Sequence, residues 1–437
     1  MARDVNARSA GHARLLETGE RVMPGGALGM FRLPDVVQLV VREGRGSKVY
    51  DVDGREYVDY ILGSGPMLIG HAHPTVVEAV SRQVARGSTF YLPTESTIRL
   101  AERICTAAPC AEQVRFVSSG SEATKYALRL ARAYTGRDKV LKFEGGYHGG
   151  GDYAQYSTAP HGEPDFPRAH PETAGIPKVL DDQVLVAPFN DLETTGRLVA
   201  EHAGELGAVI VEPLQRCVPP APGFLPGVRQ LTREHGIPLV LDEVVTGFRL
   251  ARGGAQEYYA VECDLAAYGK AVSGGYALAA VAGRADIMRL CDPRNASLPN
   301  YVMITGTLSG NPIAATAGLA TLDVLEQPGV YERLHQLGNR LRQGLVDVGQ
   351  RVGLPLQAPG EGPVFQPLIS EHAVTDARTL AKQDAKATQA FGVELIREGV
   401  LTNPGGKMYV STAHDEADVD RTLDAAERAL RRIKDGR

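Results

Sequence analysis

Cysteine is scarce and shows no pattern. Cys105, Cys110, Cys217, Cys263 and Cys291 form an odd, scattered set, without a CxxC pair or a Cys/His spacing that would hold a metal. That leaves no sign of a disulfide framework or a metal site, and the expected setting is reduced and cytoplasmic. No run of eighteen consecutive apolar residues occurs, so no membrane partner is expected. The opening residues, MARDVNARSAGHARLL, have no apolar centre, so no secretory signal is expected either. Positive charge is not in excess: the formal net charge is −5 and no long basic run appears, which argues against nucleic acid as a partner. Tryptophan is absent. No internal repeat or low-complexity tract stands out.

What remains is the composition of a soluble globular protein, 43% hydrophobic and 23% charged, over 437 residues. That length exceeds what one hydrophobic core usually serves. Residues 1–70 read as an arm plus the first part of a small domain, residues 71–325 as a large domain, and residues 326–437 as the rest of the small α+β domain. In the arm a short helical pattern precedes MPGGALGMFRLP. LVVREGRGSKVYDVDGREYVDY reads as strands joined by turns, with Asp53-Gly54 a hairpin signal. From about residue 95 strands alternate with helices. QVRFV, KVLKFEG, LGAVIVEP, IPLVLDEV and DLAAYG are short apolar strands, and SEATKYALRLARAYTG and GVRQLTREHG are helical. Such alternation predicts a parallel, doubly wound α/β sheet. Long helices follow residue 312, and DEADVDRTLDAAERALRRI is an amphipathic helix at the end.

Several turns at predicted strand ends could carry chemistry. In RFVSSGSEATKYALRL a strand ends at Val117 and a helix opens after Ser118, Ser119, Gly120 and Ser121. Unpaired N–H groups and hydroxyls there could take a phosphate. Equally, Ser119 could cap the helix with Glu122 in a capping box. In KFEGGYHGGGD, Tyr147 and His148 stand among glycines that allow close backbone approach, and the ring could stack on a flat cofactor or simply pack. In IPLVLDEVVTGF, Asp242 and Glu243 fall at the carboxyl end of a strand, where ligands of parallel sheets bind. An acid there could partner a ring nitrogen or a metal, or cap a helix. Lys270, in DLAAYGKAVSGG, also stands at a strand end; it is either a surface lysine or a desolvated amine nucleophile. ITGTLSGNPIAA places Thr305, Thr307 and Ser309 in a turn before a helix. In this order the features match what pyridoxal phosphate needs: a phosphate turn, a stacking aromatic, an acid for a ring nitrogen and a lysine for covalent attachment.

The motifs GPMLIGHAHP, FVSSGSEA, GGYHGG, VEPLQ, LDEVVTGFR, YGKAVSGG and GTLSGNP together resemble the class III aminotransferases, of fold type I among pyridoxal-phosphate enzymes. Within them the chain is most similar to glutamate-1-semialdehyde aminomutase and its transaminase relatives, from about Leu39 to the C-terminal helix. The resemblance implies a large domain with a mostly parallel, seven-stranded type of sheet and a small domain built from both chain ends. It implies that Lys270 holds the cofactor covalently and then carries a proton, and that Asp242 pairs with the protonated ring nitrogen. Val244 and Tyr147 would pack on opposite ring faces. Ser119, Gly120 and Ser121 would bind the phosphate, Gln215 would contact the ring-oxygen side, and Glu212 would support that region. Thr307 would reach the phosphate of a neighbouring subunit, as in a homodimer. No metal is implied.

Two departures touch substrate binding. The aminomutase pattern has a tryptophan before GPM, where this chain offers Ser64, and a glutamate where LTNPGGKMYVS carries glycines. The expected activity is therefore amino transfer between an amine or β/ω-amino acid donor and a keto acid or aldehyde acceptor. The alternatives are aminomutase-type intramolecular transfer and, from another class, a binding protein that keeps the fold without turnover. Arg32, Arg249 and Arg397 are the candidates for a substrate carboxylate.

Overall fold

The computed structural model describes residues 8–436. Two compact units divide the chain: one comprises residues 74–331 and 373–382, the other residues up to His73, 332–372 and 383 onward.

The first unit is built on a seven-stranded sheet. Its strands are β1 (Gln113–Val117), β2 (Lys139–Phe143), β3 (Val184–Ala187), β4 (Leu206–Val211), β5 (Leu239–Glu243), β6 (Leu265–Tyr268) and β7 (Ala279–Gly283). The spatial order is β1-β7-β6-β5-β4-β2-β3. From β6 to β3 all pairings are parallel; β7 runs antiparallel to both β6 and β1. The sheet agrees with the expected α/β class. β4, β5 and β6 are buried at every position, which explains their unbroken apolar runs: helices cover both faces of a parallel sheet. Two strands, β3 and β7, go beyond the sequence reading. They are short, and Ala279–Gly283 holds only alanine, valine and glycine. Pairing with both neighbours, rather than its small side chains, makes β7 a strand, whereas β3 is a four-residue run of valine, leucine and alanine that suits one.

Helix α1 (Gly120–Thr135) follows β1 after a two-residue turn and ends at Gly136, which takes the left-handed conformation at φ +68°. Its buried face, including Ala123, Ala127, Leu130 and Ala131, packs with Val140, Ala208, Ile210, Val240, Leu265 and Ala267 of the sheet. The apolar helix Pro312–Leu325 is capped by Asn311 and packs on the helices Pro74–Val84 and Glu95–Ala107.

The second unit joins both ends of the chain. Strands Val41–Arg45, Lys48–Asp51 and Glu56–Asp59 form an antiparallel ribbon, with the turn residue Gly54 at φ +78°. Val400–Leu401 adds to its edge in parallel. Asp418 in the last helix accepts from Ser47 Oγ at 2.6 Å and from Lys48 Nζ at 2.8 Å, so the first ribbon and the last helix share a buried polar tie. Among the described residues no helix is long and apolar enough to cross a membrane.

Candidate active site

The carboxyl ends of β5 and β6 and the turn after β1 meet at one place. Side chains alternate across a strand, so Asp242 and Glu243 at the end of β5 point to opposite faces. Glu243 is structural. It is fully buried and accepts from the N–H groups of Ala255 and Gln256 at 2.9 and 3.1 Å and from Thr246 Oγ1 at 2.6 Å. Burial pushes its carboxyl above the usual range, against those hydrogen bonds.

Asp242 has different company. Its Oδ2 lies 2.8 Å from Nδ1 of buried His148, and its Oδ1 accepts the Val244 N–H at 3.1 Å. The His148 carbonyl in turn accepts from Thr124 Oγ1 of α1 at 2.6 Å. His148 is the residue whose part the sequence reading left unassigned. The signal was its place beside Tyr147 in the glycine-rich loop, but nothing local links residues 94 positions apart.

β6 delivers Lys270. Gly269 is extended, and Lys270 itself takes φ +50°, a left-handed conformation uncommon outside glycine. It opens the single turn Lys270–Ser273, where Ser273 Oγ donates to its carbonyl at 2.8 Å. Strain of this kind at a half-buried lysine marks a position fixed by its surroundings.

Missing side chains let the three motifs converge. A Cβ on Gly269 would lie 3.4 Å from Val244 Cγ1 and 3.7 Å from the Gly120 Cα. A Cβ on Gly120 would lie only 2.8 Å from Val244 Cγ1. Ser119, Gly120, Val244 and Lys270 thus belong to one cluster. The capping-box alternative is also realised: Ser119 Oγ accepts from the Glu122 N–H at 3.2 Å, and Glu122 Oε2 accepts from the N–H of Ser118 and Ser119 at 2.7 and 3.0 Å. The Ser119 hydroxyl is engaged in holding the helix. The first-turn N–H groups of Gly120 and Ser121, which have no intrahelical acceptor, remain for an anion. Ser121 Oγ accepts from the Gly150 N–H at 3.1 Å, tying this turn to the glycine-rich loop.

On the other side of that loop, the Tyr147 N–H donates to Glu212 Oε2 at 3.0 Å and its ring is 39% exposed. Gln215 Nε2 donates to the Glu144 carbonyl at 2.7 Å. Gln215 Oε1 and His148 Nε2 are both buried and lack a hydrogen-bond partner. A Cβ on Gly146 would come within 3.1 Å of His148 Nε2 and 3.3 Å of Gln215 Oε1, so both atoms flank the same glycine. Buried polar atoms left open in this way call for a ligand or an ordered water. The segment 373–382 closes this edge: Asn190 Nδ2 donates to the Thr375 carbonyl at 2.8 Å and Arg378 pairs with Glu144 at 2.8 Å.

Thr307 is exposed, in the turn ahead of Pro312–Leu325. The three arginines are all engaged elsewhere. Arg32 pairs with Glu20 and Asp35, each at 2.6 Å, and Arg397 with Glu394 at 2.5 Å. Arg249 is fully buried and donates from Nε to the Val245 carbonyl at 2.8 Å, out of reach of a diffusing carboxylate.

A strand-end lysine, a buried acid and a helix start thus lie on one sheet edge. The model of the family described as aminotransferase class-III covers residues 32–429. The chain belongs to the class-III aminotransferases. A relative named glutamate-1-semialdehyde 2,1-aminomutase 2, from Brevibacillus brevis, is 39% identical over 431 residues, covering 96% of this chain and 98% of its own. An omega-transaminase from Sphaerobacter thermophilus has a similar structure, with TM-score 0.91 and 36% identity over 98% of this chain and 99% of its own. A glutamate-1-semialdehyde aminomutase from Pseudomonas aeruginosa PAO1, in complex with PMP, matches with TM-score 0.87 and 28% identity over 98% of this chain and 96% of its own. This aminotransferase is an enzyme of fold type I, and its cofactor is pyridoxal 5′-phosphate. The residues present fit that group: an amine, an acid, a glycine cradle at a helix start, and two open polar atoms.

Proposed function

We propose that Lys270, Asp242 and the turn at Ser119–Ser121 hold pyridoxal phosphate for transfer of an amino group; one observation supports this reading above the others, that a Cβ added at Gly120 or at Gly269 would touch Val244, so that three motifs come close together. When bound, the cofactor supplies an electron sink that acidifies the C–H beside the transferred nitrogen. The chain's residues do the rest. Lys270 attaches the cofactor and then holds and moves the proton at the substrate carbon. Asp242, oriented by His148, keeps a proton on the ring nitrogen. The N–H groups of Gly120 and Ser121, with the Ser121 hydroxyl, bind the phosphate. Tyr147 and Val244 pack against the ring, and Gln215 and Glu212 serve its oxygen side.

On the substrate, the relatives reverse the order of preference drawn from the sequence. The Brevibacillus relative is an aminomutase by name, at 39% identity, and this supports intramolecular transfer within one semialdehyde. A second reading, transfer between an amine or β/ω-amino acid and a keto acid or aldehyde, is supported by the likeness to the omega-transaminase and by Ser64 and the glycines of residues 401–411. One assay separates them. An aminomutase turns over the semialdehyde with no second substrate, whereas a transaminase stops after one equivalent until an acceptor is added.

A homodimer accords with the apolar side chains left exposed at Phe90 (50%), Tyr91 (76%), Leu92 (75%) and Met303 (66%), the last close in sequence to Thr307. Sedimentation at micromolar concentration tests it; a monomer throughout would reject both the dimer and the role given to Thr307.

A further inference from the structure

Lys142 lies within β2, and no part of it is exposed. Among the described residues it has no ion-pair partner; its Nζ donates instead to three main-chain carbonyls, of Gly146 at 2.9 Å, Ala154 at 3.4 Å and Tyr156. These acceptors lie on the two limbs of one loop, whose mouth is closed by the Gly145 N–H donating to the Ser157 carbonyl at 2.8 Å. Gly146 immediately precedes Tyr147 and His148. Other ties to the loop hold one point each: Glu212 takes the Tyr147 N–H, Thr124 the His148 carbonyl and Ser121 the Gly150 N–H. Lys142 alone of these grips both limbs. An ammonium is the one side-chain group that offers three N–H donors from a single atom, and it meets three carbonyls here. Bonds from a charged donor are the stronger kind, and removing the donor would strand buried carbonyls.

We propose that Lys142 is a positioning residue for the site: its ammonium ties the two limbs of the loop 144–157 together and thereby sets where the Tyr147 ring and the His148 imidazole stand. The functional meaning of those two side chains rests on the reading given above; the loop geometry does not. Burial pushes the Lys142 amine down to about 7, against the pull of Glu212 and Glu172 and with a small push from Arg216. Once deprotonated, the amine keeps two N–H donors for three acceptors, so the grip loosens above neutral pH.

The test uses the full-length protein with and without pyridoxal phosphate. Lys142→Met keeps an unbranched side chain, one heavy atom shorter, and removes every donor; Lys142→Gln restores two. The expected result is faster amide exchange across residues 144–157 in both, larger in Lys142→Met, with β4 and β5 unchanged. Affinity for pyridoxal phosphate should fall about tenfold or more in Lys142→Met and less in Lys142→Gln. A folded Lys142→Met with unaltered exchange in this loop overturns the proposal. If Lys142→Met does not fold, wild-type protein is followed instead from below to above pH 7. Loop exchange that outpaces the intrinsic base-catalysed rate supports the proposal, and exchange that only tracks that rate overturns it. A wild type that binds no pyridoxal phosphate would sink the functional reading, and the exchange result would still decide the role of Lys142.

Discussion

Replacing Gly120 by alanine sets two effects of known sign against each other. Alanine is the better helix former by up to about 1 kcal/mol in a helix interior, and less at the first helical position, where Gly120 stands. Against this, the new Cβ would sit 2.8 Å from Val244 Cγ1 and 3.1 Å from Val244 Cγ2. Carbon atoms in good contact stand about 3.5–4.0 Å apart. Overpacking of this sort costs about 1–3 kcal/mol. We expect the contact to win, with a net destabilisation of about 1 kcal/mol measured by urea unfolding of the apoprotein. The larger effect falls on function: α1 must move off Val244, and the first-turn N–H groups move with it. Affinity for pyridoxal phosphate should drop about tenfold or more. Val244→Ala removes both clashing methyls, so in the double variant stability should recover by about 0.5–1.5 kcal/mol relative to additivity. If Gly120→Ala is as stable as wild type and binds the cofactor equally well, or if the two substitutions add without coupling, the convergence at this point has been misread.

Four further outcomes follow from the same geometry. Borohydride reduction of the cofactor-loaded protein should fix the cofactor on the peptide containing Lys270, and Lys270→Ala should leave no labelled peptide; label on another lysine would refute the assignment. Asp242→Asn should keep the fold but lower kcat by about 10²-fold or more, and an unchanged kcat would remove Asp242 from the chemistry. Gly146→Ala would press a methyl to 3.0 Å from the Phe143 carbonyl and towards His148 Nε2 and Gln215 Oε1. It should weaken cofactor binding more than it lowers the midpoint of unfolding. Finally, His414 is buried, and burial lowers its pKa to about 4 from the ordinary 6.5, against the pull of Asp418 and Asp59. The unfolded chain binds that proton first, so stability should fall as pH drops from about 6.5 towards 4, by about 3 kcal/mol from this residue. His414→Gln should flatten that part of the unfolding profile, and an equally steep profile would refute the assignment.

The motifs were legible in the sequence because each is made by neighbours in the chain. The capping box joins Ser119 and Glu122, three positions apart, the stop at Gly136 needs one left-handed residue, and the apolar runs of β4, β5 and β6 report burial on two faces. The order of these pieces was enough to name the cofactor. β7 was hidden because a short run of alanine, valine and glycine acquires its state from pairing, whereas β3, Val184–Ala187, is a four-residue apolar run that the sequence reading passed over. The sequence could rank Arg249 beside Arg32 and Arg397, yet only packing buried the first and paired the other two locally. Two ties depend wholly on tertiary structure. Asp242 meets His148 across 94 residues, and Glu144 meets Arg378 across 234. Lys142, read as one more residue of a strand, became a buried donor to three carbonyls only when the loop folded over it. Local hydrogen bonding and periodic burial thus determined which elements form and which residues end them. The fold decided which of those ends share a site, because contacts between distant segments are set by how strands order in the sheet and by where a missing Cβ lets two backbones approach.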